Sequence, residues 1–95
     1  MEKKFELTEN YVVNKSGTKL YQIKCIKTFK YAKEEELGGY IEKEENLSHE
    51  GEAWVSDNAR GYGDAQVYGN AWVYGDAWVF GNALIVGHPR IAFST

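Results

Sequence analysis

Proline occurs once in the 95 residues, at Pro89, and cysteine once, at Cys25. A lone thiol closes no internal disulfide, so packing must hold the chain together and a reducing, intracellular setting is expected. No apolar run approaches the roughly 20 residues that a membrane-spanning helix needs. Met1–Asn10 is too charged to supply the apolar core of a signal peptide. A cytoplasmic protein with no membrane contact is therefore expected. Basic charge is also scarce: the net charge is −3 and the pI about 5.3, which disfavours direct nucleic-acid binding. Two His and one Cys at remote positions form no metal signature, and no glycine-rich phosphate loop precedes a helix. No metal and no cofactor are expected. The length suits one domain.

Glycine and aromatic residues, by contrast, are plentiful. Residues 53–88 read, in sixes, AWVSDN, ARGYGD, AQVYGN, AWVYGD, AWVFGN, ALIVGH. The first slot is always Ala: Ala53, Ala59, Ala65, Ala71, Ala77, Ala83. The third is Val55, Val67, Val73, Val79 and Ile85, with Gly61 the exception. These two slots lie two residues apart and so face the same side of a strand. The fifth slot is Gly from Gly63 to Gly87, and the sixth holds Asn58, Asp64, Asn70, Asp76, Asn82 and His88. Gly followed by Asn or Asp turns the chain. A short strand and a corner, repeated, predict a coil whose neighbouring repeats must stack to bury their inner face. A run of β-hairpins is the weaker alternative, since nothing in it would hold the period at six.

The pattern A-x-[VI]-x-G-[DN] resembles that of hexapeptide-repeat proteins. That resemblance implies an all-β fold: a short left-handed parallel β-helix with three hexapeptides per triangular turn, two to three turns in all. The handedness comes from the resemblance alone, because the general rule for parallel crossovers favours the right hand. Leu20–Lys24, Leu37–Glu42 and Asn46–Gly51 are similar to the leader of small phage and prophage hexapeptide-repeat proteins, described as YdcK-like. With three repeats per turn, residues 18 apart stack. Asn58 then lies over Asp76, Asp64 over Asn82 and Asn70 over His88, a column of structural corners that could share hydrogen bonds without like-charge repulsion.

The second and fourth slots should point outward. Stacking by 18 sorts them onto three faces: Trp54, Trp72, Ser56 and Tyr74; Arg60, Trp78, Tyr62 and Phe80; Gln66, Leu84, Tyr68 and Val86. Aromatic ladders suit exposed strands, but three outward Trp go further and mark a binding surface. Uncapped coil ends expose strand edges and must also be covered. Pro89, Arg90, Ile91 and Phe93 are expected to close the C-terminal end, with Pro89 ending the ladder.

Residues 1–36 are expected to form an N-terminal β-hairpin cap and acidic connector, and residues 37–95 the repeat unit. Tyr11–Val13 and Lys19–Lys27 flank a turn at Asn14–Gly17. Glu34, Glu35 and Glu36 could start a helical turn that Gly38-Gly39 ends. Tyr40–Gly51 reads as an imperfect first turn, with Ile41 and Leu47 six apart. The front is basic, with eight Lys against three Glu in residues 1–33; residues 34–52 hold eight Glu against one Lys. The latter block, including Glu44 and Glu45, could be a solvated loop or an acidic surface mimicking nucleic acid.

Left-handed hexapeptide helices are best known as trimeric acyltransferases, in which a His acts as general base. His49 and His88 are the candidates, but the loops and helical extension that build such sites have no counterpart here, and no enzyme is expected. Cys25, in an alternating strand, reads as core. The expected function is that of a non-enzymatic binding protein of phage type, a homo-oligomer using its aromatic faces. The resemblance implies a setting in the cytoplasm of an infected or lysogenic bacterial host. It also points to a host protein partner such as a defence factor, in the manner of anti-CRISPR proteins. A small nucleotide-like ligand between subunits, met by Arg60 or Arg90, is a further reading. A purely structural assembly module and an acyltransferase-like protein are the alternatives.

Overall fold

The computed structural model describes residues 3–86 and the backbone of 90–93. The chain is all-β, and among the described residues its helix is confined to one 3-10 turn, Glu44–Asn46. No helix among them is long and apolar enough to cross a membrane.

Strands β1 (Phe5–Val13) and β2 (Lys19–Cys25) form the expected hairpin, paired antiparallel from Phe5↔Cys25 to Val13↔Lys19. Asn14 builds its turn: the side-chain Oδ1 accepts from the Ser16 and Thr18 amides at 3.0 and 2.9 Å, and Gly17 takes φ 86°. This is the local chemistry that makes Asn and Gly turn residues. The register shifts between Leu7 and Tyr11, where the Thr8 hydroxyl donates to the Gln22 carbonyl at 2.8 Å. β2 then pairs antiparallel with β3 (Leu37–Ile41).

From β3 onward the pairing is parallel. β4 (Trp54–Val55), β5 (Arg60–Gly61), β6 (Gln66–Val67), β7 (Trp72–Gly75), β8 (Trp78–Val79), β9 (Leu84–Ile85) and β10 (Arg90–Phe93) follow the repeat. Trp54 pairs with Trp72, Arg60 with Trp78, Gln66 with Leu84, and Trp72 with Arg90. Every one of these steps is the 18-residue offset that the resemblance to hexapeptide-repeat proteins implies. The strands fall into three sheets, ordered β1-β2-β3-β5-β8, β10-β7-β4 and β6-β9. The sheets are small and the largest is mixed, so the hairpin is an extension of one sheet as much as a cap.

The inward slots behave as their spacing requires. Ala53, Ala59, Ala65, Ala71 and Ala77 are buried, with Val55, Val67, Val73 and Val79. At Gly61, the break in the pattern, an added Cβ would make ordinary contact with Ile41 at 3.6 Å and Asn46 at 3.9 Å. Asn46 is wholly buried and fully used: its Oδ1 accepts from the Glu42 and Lys43 amides, and its Nδ2 donates to the Gly63 and Ala65 carbonyls. In the fifth slot Gly63, Gly69, Gly75 and Gly81 all lie near φ 70°, and Asp57 holds the same corner at φ 59°. The Asp57 carboxylate accepts from the Gly75 amide at 3.2 Å, one layer on.

Tyr40–Gly51 leads into the repeat with Ile41 and Leu47 buried, as expected. Its pairs are 20 residues apart, Ile41↔Gly61 and Leu47↔Val67. The 18-residue offset begins at Glu52, whose amide donates to the Gly69 carbonyl. The two surplus residues lie in the loop that carries His49.

Three expectations need correction. Glu34–Glu36 start no helical turn: Glu35 is left-handed at φ 75°, and the segment hydrogen-bonds back to Cys25. Gly38 is therefore not a helix stop. A Cβ there would come within 2.6 Å of the Val55 carbonyl and 2.8 Å of the Trp54 ring, so its role is close approach between β3 and β4. The ladder also does not end at Pro89. Pro89 itself and the side chains of Arg90, Ile91 and Phe93 lie outside the described residues, but β10 continues the parallel pairing along β7. The corner column, by contrast, keeps the expected 18-residue stacking through the backbone: the Asn58 amide donates to the Gly75 carbonyl and that of Asp64 to Gly81. The Asp64 side chain turns to Lys43 at 3.1 Å. His88, expected over Asn70, lies outside the described residues.

Candidate functional site: the aromatic faces

The three outward faces have different fates. On β4 and β7, Trp54 is completely buried, which corrects its assignment as an exposed binding residue. Residues 27–33 fold over it as a strap. Phe29 meets Trp54 edge-on at 5.2 Å, Phe5 closes its other flank at 6.5 Å, and Tyr31 stacks on Trp72 at 4.9 Å and 16°. Trp72 is half-buried, with Tyr74 against it at 4.5 Å and its Nε1–H donating to Ser56 at 2.9 Å. The repeat alone points Trp54 outward, but whether an outward residue meets water depends on the rest of the chain. The alternation of Phe29 and Tyr31 with lysines in KTFKYAK is the sequence signal that could have indicated a cover. Among the described residues the buried Trp54 Nε1 has no hydrogen-bond partner.

The face on β5 and β8 is open. Trp78 is 49% exposed and Phe80 55%. Their geometry is nonetheless ordered: Tyr62 stacks on Phe80 at 5.4 Å and 10°, and meets Trp78 edge-on at 6.4 Å. The Arg60 guanidinium lies 5.3 Å from the Trp78 ring. Tyr40, paired with Arg60, continues the row onto β3. On the third face Leu84 and Val86 are exposed and Tyr68 half-buried. The largest exposed apolar side chains of the repeat thus fall in residues 78–86, where β8 and β9 are the edges of their sheets.

The acidic block is dispersed. Glu35 pairs with Lys24 at 3.3 Å and Glu44 with Lys3 at 3.3 Å, while Glu36 accepts from the Lys33 amide. Glu34 and Glu45 are exposed. The carboxylates of Glu6 and Glu35 raise the Lys24 pKa, and the His49 and Lys3 contacts lower that of Glu44. Basic front and acidic middle are folded against each other instead of presenting one continuous acidic surface.

His49 and Lys4 fasten the N-terminal strand to the surplus loop. His49 stacks on Phe5 at 4.1 Å, its Nδ1 accepts from the Lys4 amide at 3.0 Å, and its Nε2 contacts Glu44 at 2.8 Å. With Nδ1 an acceptor, the ring proton sits on Nε2 and is donated to the carboxylate. Both nitrogens are committed, which leaves none poised toward an acceptor group. The Lys4 ammonium, on a residue only 4% exposed, donates to the carbonyls of Ala53 and Gly51 and lies 4.8 Å from the Phe29 ring. Burial lowers its pKa to about 8, against smaller opposing effects of Cys25 and Glu52. Cys25 is buried, its thiol donates to the Lys27 carbonyl at 3.1 Å, and burial pushes its pKa up, away from thiolate chemistry. Among the described residues no group of three His, Cys, Asp or Glu side chains converges as a metal site would require.

Compared with known proteins, the chain matches no family model and no curated relative.

Proposed function

We propose that this is a non-enzymatic binding protein, and that its working surface is the open aromatic face of Arg60, Tyr62, Trp78 and Phe80. The observation that carries the reading is the pairing of exposure with order. Trp78 and Phe80 are about half exposed, yet each is held by a stacked or edge-on neighbour. Side chains fixed before binding lose little conformational entropy when a partner arrives, and Trp, Tyr and Arg are the residues that dominate binding hot spots. In this reading residues 37–95 form a short left-handed parallel β-helix of hexapeptide type, supported by the 18-residue parallel register. The protein acts as an oligomer, and its resemblance to phage hexapeptide proteins makes a host defence protein the partner class.

The test compares tagged wild-type protein with Trp78→Ala, Phe80→Ala and the charge-neutralised pair Glu34→Gln/Glu45→Gln, using bacterial extract as the source of partners. A partner retained by wild type and by the acidic variant, but lost from both aromatic variants by about tenfold or more, fits the proposal. Retention by the aromatic variants and loss from the acidic one would overturn it.

A further inference from the structure

The two ends of the repeat are finished differently. At the N-terminal end the strand edges are covered. β2 pairs along β3, Leu47 pairs with Val67 of β6, and Phe5 and Phe29 close over Trp54 of β4. The Lys4 ammonium completes the cover by donating to the carbonyls of Gly51 and Ala53. At the 18-residue offset these carbonyls would accept from amides of a preceding layer, as those of Gly69 and Ala71 accept from Glu52 and Trp54. Lys4 therefore stands where a further layer would begin.

The turn formed by β8, β9 and β10 has no such cover among the described residues. One layer earlier, the amides of Arg60, Tyr62, Gln66 and Tyr68 donate to carbonyls of this turn. The same slots here are Trp78, Phe80, Leu84 and Val86, and no described residue receives their amides. A Cβ at Gly81 would meet nothing within 4 Å, whereas one at Gly63 would meet Gly81 of the next layer at 3.2 Å. The inward residues Ala83 and Ile85 are only half-buried, although Ala53 and Val55 at the other end are fully buried. Core and backbone both end open at this turn.

Shape and charge narrow what can cover it. The open edges β8 and β9 belong to separate sheets, so a single added strand pairs with only one of them. A surface that matches both must carry strand edges at the same spacing, and the same end of another copy does. Residues 77–86 contain no charged side chain, so two such ends meet without the like-charge repulsion that opposes self-pairing. We propose that this end docks on the same end of a second copy about a two-fold axis, with the edge strands antiparallel. Such a contact uses each open end once, and the covered N-terminal end offers no second one, so assembly stops at two chains. The proposal rests on the reading of the protein as an oligomer and identifies the surface that forms it.

Sedimentation equilibrium of the full chain over a wide concentration range tests it. A monomer–dimer equilibrium with no larger species is expected. Leu84→Pro removes an amide that the chain itself does not use, and proline is tolerated on an edge strand, so the variant should fold. Its dimer should be weakened about tenfold or more. Phe80→Glu/Leu84→Glu sets like charges on both ends and covers the case in which the proline variant fails to fold. It should weaken the dimer in the same direction. The opposite edge of the largest sheet is β1, where Tyr11 is exposed, and Tyr11→Lys should dimerise as wild type does. A wild-type monomer throughout, growth beyond the dimer, unchanged association in folded Leu84→Pro or in Phe80→Glu/Leu84→Glu, or loss of the dimer in Tyr11→Lys alone would each overturn the proposal. Retention of a partner from extract is read separately. A monomeric wild type that still retains its partner would remove the two-fold contact and leave the aromatic face standing.

Discussion

Lys4 and His49 show how single side chains join parts of the chain that are distant in sequence. Both lie where strand β1 meets the surplus loop, and each satisfies backbone groups as well as packing on a ring. Lys4 carries a consequence for pH. Its folded pKa of about 8 lies below the ordinary lysine value of 10.5. Between the two, the unfolded chain binds a proton at this residue that the folded chain does not, so the Lys4 contribution to stability improves with rising pH. Below about 8 both states are protonated and the burial penalty is felt in full. Cys25, its pKa raised by burial, works in the opposite direction above the ordinary thiol value of 9.0. Comparing urea midpoints of wild type and Lys4→Met from about pH 7 to about pH 10 separates them, since Cys25 is common to both. Wild type should gain on the variant as pH rises. A constant difference would mean that Lys4 is not desolvated in the folded protein. Neither role was legible in the sequence, where Lys4 is one of eight lysines in a basic segment.

At the scale of elements, the repeat strands were readable because each slot has one fixed environment. Ala and Val recur every six residues on the inner side, and the corners recur with them. Where a residue departs from the pattern the physics is still local: Asp57 takes the left-handed corner, and its carboxylate bonds the Gly75 amide of the next layer. A Gly-Gly pair after three Glu carries the signal of a helix stop at Gly38. Its real constraint is steric and comes from β4. Gly38→Ala places a methyl group against the Val55 carbonyl at 2.6 Å and the Trp54 ring at 2.8 Å. Backbone cannot yield as a flexible side chain can, so a loss of about 1–3 kcal/mol is expected in chemical denaturation. Trp54 should become more solvent-exposed in the variant, visible as a red shift of its emission. An unchanged midpoint would show that β3 can move away from β4 freely.

For the whole molecule, the balance between covered and open surface is polar along the repeat. The hairpin, Phe5 and the strap of residues 27–33 cover the end that holds Trp54, whereas residues 78–86 keep Trp78, Phe80, Leu84 and Val86 exposed beside the edge strands β8 and β9. Exposed edges with apolar side chains are templates for further pairing. Self-association through this end is therefore the expected behaviour at high concentration. Light scattering across a concentration series should find a defined oligomer in wild type and a smaller species in the double variant Phe80→Glu/Leu84→Glu. A wild-type monomer throughout would remove self-association while leaving the aromatic face open to a different partner.

The sequence alone determined the β-strand repeat, the hairpin turn at Asn14–Gly17 and the inner Ala and Val columns, while the 18-residue offset came from the resemblance to hexapeptide-repeat proteins. Each depends on neighbours at a fixed spacing, and a repeat displays that spacing openly. Only the tertiary structure decided which outward aromatics meet water. Trp54 and Trp78 occupy the same slot of two different hexapeptides, yet one is fully buried and the other about half exposed. The difference is made by Phe5, Phe29 and Tyr31, which come from a segment that shares no period with the repeat and meets it only after the chain has folded.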